Sequence, residues 1–76
     1  MRVTIVRAEN KVNVDGVVRF GIDCSGLPPG VNVVQWGGSS GWIEFVNDGH
    51  GEFIPNESIA DFSPYQHLVD TWGAAG

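Results

Sequence analysis

The 76 residues hold one domain with a modest core, and 42% hydrophobic, 11% aromatic and 17% charged residues make a composition too apolar for a disordered tail. Nine acidic residues against four basic ones give a net charge of −5, and all four cations (Arg2, Arg7, Lys11, Arg19) lie in the first quarter. With no cation after Arg19 there is no basket of positive charge for phosphates, which argues against nucleic acid as a partner. The longest apolar runs are only a few residues, so neither a signal peptide nor a membrane span is read, and no membrane partner is expected.

The chain opens with Val3, Thr4, Ile5 and Val6, all β-branched, and this predicts a strand from about Arg2 to Arg7. Polar Ala8 to Lys11 turns the chain. Val12 and Val14 then alternate with Asn13 up to Asp15-Gly16, a pair suited to the positive φ angles of a type I′ turn. Val17 to Phe20 returns as the partner strand, with the first strand as the hairpin's other neighbour. Gly21 to Gly30 carries three glycines and two prolines, and Pro28 and Pro29 have no N–H for a ladder. This stretch reads as a connection pinned to the core by Ile22 and Leu27.

Val31 to Val46 reads as the central hairpin, two apolar alternating runs around Gly37-Gly38-Ser39-Ser40-Gly41. Alternation puts Val34 and Trp36 on one face of its first arm and Val31 and Val33 on the other. In the second arm Ile43 and Phe45 form an apolar face that belongs on the core, leaving Trp42 and Glu44 outside. Asp48-Gly49 suits a further turn, followed by a short strand over Glu52, Phe53 and Ile54 that completes a three-stranded meander.

Ser63-Pro64-Tyr65-Gln66 has the form of a capping box with proline at the first helical position. Tyr65, Leu68, Val69 and Trp72 follow at i, i+3, i+4 and i+7, one apolar stripe, while Gln66, His67, Asp70 and Thr71 face away. Gly73 is expected to stop the helix. The expected fold is α+β: an antiparallel sheet of about five or six short strands in a meander of hairpins, with one C-terminal helix packed on it. A curled or partly barrel-like sheet is the alternative. Residues 1–72 read as a single small domain, and 73–76 as a flexible tail or the start of a linker.

No motif specifies a reaction. Asp23-Cys24-Ser25 offers a thiol and a hydroxyl near carboxylates, but an adjacent anion raises a cysteine pKa, and Asp-x-Ser is ordinary loop-capping chemistry. The single cysteine, Cys24, permits no intrachain disulfide and fits a reducing compartment. His50 lies among Asp48 and Glu52 without the alternating oxygen donors of a calcium loop, so no metal and no cofactor are expected. The Gly/Ser turn lacks the lysine and following helix of a phosphate loop. What remains is a recognition surface at the central hairpin, with Trp36, Ser39, Ser40, Trp42 and Glu44 as its candidate residues, since tryptophans at a rim are favoured in protein and sugar recognition.

Val14-Asp15-Gly16, Ile22-Asp23 with Ser25, Leu27-Pro28, Val34-Gln35-Trp36, Gly41 with Ile43-Glu44-Phe45, and Phe62 to Trp72 together resemble a group of small phage and prophage proteins from the tail region. The resemblance implies a non-enzymatic role in virion tail or tail-fibre assembly through protein partners, in the host cytoplasm or associated with the virion. Two departures stand out. Gly37-Gly38-Ser39-Ser40 stands where the similar proteins tend to have an aromatic and a charged residue in the turn. The chain also stops just after Trp72, whereas the similar segment occurs either alone or ahead of a C-terminal extension, so an extension is missing or was never there. The expectation is therefore a non-catalytic protein-interaction module, with a glycan-binding module using Trp42, joined by Trp36 if the register exposes it and by the rim residues Asn47 and Asp48, as the alternative. A small hydrolase or metal enzyme through Cys24 and His50 is the least favoured reading, and a homo-oligomer formed through the sheet edges is a further expectation.

Overall fold

The β-branched run near the N-terminus forms the middle of the sheet, where side chains on both flanks protect it. In the computed structural model, which describes residues 1–46 and 54–75, strand β1 (Val3–Val6) pairs antiparallel with β2 (Lys11–Val14) on one side and β4 (Val31–Trp36) on the other. Strand β3 (Val17–Phe20) extends the sheet beyond β2, and β5 (Gly41–Phe45) and β6 (Glu57–Ile59) extend it beyond β4. The order is β3-β2-β1-β4-β5-β6, six antiparallel strands that do not close into a barrel, with helix α1 (Gln66–Ala75) at the C-terminus. The fold is α+β.

Turn chemistry fixes the β2–β3 register. Asp15 and Gly16 take φ values of 51° and 88°, and Val14 pairs with Val17 across them. The first turn is tighter than a plain loop: Arg7–Glu9 makes one 3₁₀ turn that ends on Asn10 at φ 48°, the left-handed conformation asparagine tolerates. Asn10 then holds the 21–30 connection, accepting hydrogen bonds from Ile22 N through its carbonyl and from Cys24 N through Oδ1.

One face of the sheet carries the core. Val3, Ile5, Val12, Val14, Val34 and Ile43 are buried there, under Ile22, Cys24 and Leu27 of the connection and Phe62, Tyr65 and Leu68 of the helical end. Val31 joins them, against the simple alternation that places it with Val33. The register slips between Val31 and Val33 opposite Phe45 and Glu44, and this extra residue in β4 turns Val31 back to the core.

Two further expectations are corrected, and a third lies largely outside the described residues. The strand paired with β5 is Glu57–Ile59; of the expected strand over Glu52, Phe53 and Ile54, the first two lie outside the described residues, as do residues 47–51 of the expected turn, and Ile54 is exposed and outside any strand. Glu57-Ser58-Ile59 has only one apolar residue, so no alternation announces it. Ile59 sits opposite Gly41, the one strand position there without a side chain, and packs on the core. Ser63 does not cap the helix with its side chain. Ser63–Tyr65 is a 3₁₀ turn leading into α1, and Asp61 supplies the cap, accepting from Ser63 N at 3.0 Å and from Ser63 Oγ at 2.8 Å. The helix also runs through Gly73 to Ala75. Arg19, on the core side of β3, holds its last turn by lying 4.0 Å over the Trp72 ring and donating to the Trp72 carbonyl, while Trp72 Nε1 donates to Val17 O at 3.0 Å.

Candidate functional site: the open face of the sheet

Because strand side chains alternate, the residues between the core positions stand on the opposite face, and among the described residues no element covers them. Cross-strand pairing lines them up. Asn13 lies opposite Thr4, Thr4 opposite Gln35, Gln35 opposite Trp42 and Trp42 opposite Ser58. A second row runs from Phe20 through Lys11, Val6 and Val33 to Glu44.

Over the first row lies a groove of about 390 Å³, lined by Arg2, Thr4, Asn13, Gln35 and Trp42, with Gly16, Val3, Trp36 and Gly37 at its end. Hydrogen bonds hold three of its side chains and the Arg2 backbone. Thr4 Oγ1 donates to Gln35 Oε1 at 2.7 Å, Asn13 Oδ1 accepts from Gly16 N at 2.9 Å, and Asp15 Oδ1 accepts from Arg2 N at 2.9 Å. Trp42 is 44% exposed, and its indole N–H donates to Glu44 Oε2 at 3.0 Å. That bond fixes the ring and spends its polar handle, so what Trp42 offers a ligand is its face.

The five hairpin residues singled out by sequence do not form one surface. Trp42 and Glu44 stand on the open face. Trp36 belongs to the core side, its ring 5.4 Å from that of Phe62, and only borders the groove. Ser39 and Ser40 sit in the exposed turn closed by Gly37 N donating to Ser40 O at 2.8 Å, and neither lines the groove. Arg2, Thr4, Asn13 and Gln35 were missed. Each of the last three is a lone polar residue between two core residues, a signal visible in sequence, but only the register shows that they fall in line.

No family model, curated protein or solved structure matches the chain. Its chemistry is read from its own side chains. Cys24 is wholly buried, and burial first, then the Asp23 carboxylate, push its thiol up, with Arg7 opposing. Its Sγ is 3.3 Å from the Ile22 carbonyl, and a sealed thiol held protonated is no nucleophile for an outside substrate. Asp23 accepts from Ser25 N at 2.9 Å, and hydrogen bonds from the Ser25 hydroxyl and N–H hold its carboxyl below the usual value. Asp61 is lowered in the same way by the Ser63 N–H and hydroxyl. Among the described residues no three metal-ligating side chains cluster; Asn47, Asp48, His50 and Glu52 lie outside them. His67 is exposed on α1, beside Gly26. No helix among the described residues is long and apolar enough to cross a membrane.

Proposed function

We propose that the chain is a non-catalytic recognition module and that the open face of its sheet is the surface it uses. The observation that carries this reading is the asymmetry of the sheet: one face is closed by α1 and the 21–30 connection, and the other presents Trp42, Phe20 and Val18 to solvent beside an ordered polar row. An exposed aromatic held in place by a hydrogen bond loses little side-chain entropy on binding. Assembly of a virion tail or tail fibre, with another tail protein as partner, is the setting that the resemblance in turns and core residues supplies. The test is capture of phage tail proteins by the purified chain. The double substitution Phe20→Ser, Trp42→Ala is expected to abolish capture while the circular dichroism spectrum and thermal transition persist. Capture that survives both substitutions removes the open face from the reading.

A second reading has a specific observation behind it. The groove beside Trp42 is lined by amides, a hydroxyl and a guanidinium, which suit a saccharide better than they suit an apolar protein patch.

A further inference from the structure

We infer that the groove over Asn13, Thr4, Gln35 and Trp42 binds a neutral saccharide of two or three rings. The inference rests on the reading that the open face is the recognition surface, and it names what one end of that face receives. Three features of the site converge on this ligand class.

The first is size. Three strand intervals separate Asn13 from Trp42, about 14 Å across the sheet, and the groove's 390 Å³ falls in the range of small-molecule sites. The second is the pairing of an aromatic face with planar polar groups. A sugar ring has a C–H face and a hydroxyl rim. Trp42 presents an exposed face whose orientation Glu44 fixes, and Gln35, directly opposite Trp42, has its Oε1 engaged by Thr4. That leaves the Gln35 Nε2 amide without a protein partner among the described residues, and the same holds for the Asn13 Nδ2 amide, since Asn13 Oδ1 is engaged by Gly16 N. These amides, with Arg2 also lining the groove, are donors for hydroxyl oxygens. Because existing hydrogen bonds hold the two amide side chains, a ligand meets a site already partly arranged.

The third feature is charge. One cation, Arg2, lines the groove, and Glu44 stands beside Trp42, on a chain of net charge −5. A phosphorylated or polyanionic ligand meets repulsion from the body of the protein, whereas a neutral polyol meets none. A nucleobase shares the stacking requirement but brings phosphates when it comes from nucleic acid.

The experiment titrates the full chain with maltotriose, cellotriose and chitotriose, following tryptophan fluorescence and backbone amide shifts. The expected result is a saturable response to at least one trisaccharide, with the largest shifts at residues 4, 13, 35 and 42. Trp42→Ala is expected to abolish that response. Gln35→Ala keeps the strand and removes one amide, and is expected to weaken binding about fivefold; thermal transitions of both variants establish that they are folded. Silence with all three sugars overturns the saccharide inference, and it leaves the open-face reading standing if capture of a protein partner still depends on Phe20 and Trp42. Binding that neither substitution changes also overturns the inference, because the sugar is then held elsewhere.

Discussion

On the covered face every inner strand contributes aliphatic side chains that α1 and the 21–30 connection close over. On the open face the same strands hold Thr4, Asn13, Gln35 and Trp42 toward solvent. A strand cannot give one face a core without giving the other face something, and here that something includes a polar row in which Thr4 bonds Gln35, and Asn13 is held by the Gly16 N–H. The two sets respond differently to substitution. Covered-face residues set stability, and open-face residues are free to set recognition.

Gly41 is where the two faces meet, and it carries the largest expected effect. A Cβ there would stand 1.9 Å from the Gln35 carbonyl oxygen, an atom of the neighbouring strand's backbone. That backbone also carries the Gln35 side chain of the groove. Gly41→Ala must push β4 and β5 apart, at a cost of about 3 kcal/mol or more, and a domain of this size has only a few kcal/mol in hand. The variant is expected to be largely unfolded by circular dichroism at 25 °C, and a wild-type melting transition would show that the hairpin accommodates a methyl group.

Leu68 and Trp42 then measure the contrast between the faces directly. Leu68 is 1% exposed at the centre of the covered face, so Leu68→Ala is expected to cost about 3 kcal/mol in urea titration. Trp42→Ala removes a larger side chain from the open face, yet it loses only cross-strand contacts with Gln35 and Ser58 and the exposed hydrogen bond to Glu44, about 1 kcal/mol. Equal losses at the two positions would mean that the open face is part of the folding core, and the division between stability and recognition would fail.

How much of this was legible in the chain depended on whether a signal was local. The β-branched run of β1, Asp15-Gly16 and the Tyr65, Leu68, Val69, Trp72 stripe each declare themselves within a few residues, and the α+β sheet with its C-terminal helix follows from them. The division of β5 into a core side with Ile43 and an outer side with Trp42 and Glu44 was equally plain. What escaped depends on partners distant in sequence. The β4 bulge that returns Val31 to the core is defined against Phe45. Strand β6 is defined by its pairing with β5, Ile59 opposite Gly41, and the helix continues past Gly73 because Arg19, 53 positions before Trp72, clasps its last turn. The polar row of the groove is also a product of register, with Asn13, Thr4, Gln35 and Trp42 drawn from four strands.

Gly73 isolates that clasp. It lies within the helix, exposed, and a Cβ there would meet nothing within 4 Å. Gly73→Ala therefore keeps every contact and restricts only the unfolded chain, so a gain of about 0.5–1 kcal/mol is expected as a raised midpoint in urea. A loss instead would mean that the end of α1 needs the freedom of glycine.

The smallest effect lies at the entrance to that helix and is read through pH. Asp61 is held below its ordinary value of 3.8 by hydrogen bonds from the Ser63 N–H and hydroxyl, bonds that favour the ionised form. A carboxyl whose folded pKa is depressed binds its proton more readily in the unfolded chain. Its contribution is therefore complete above 3.8 and is lost as pH falls through the folded value. Asp23, lowered by Ser25, follows the same course. Asp61→Ala should melt at a lower temperature than the wild type at neutral pH, and the two melting curves should converge as acidification carries the pH from 3.8 down through the lowered folded value of Asp61. Asp61 lies in the segment that brings Phe62 onto Trp36 at the groove's end, so the cap helps hold the covered side of the site in place. A gap between the curves that stays constant down to acid pH would assign the effect of the substitution to packing, and the carboxylate would have no part in fixing the helix entrance.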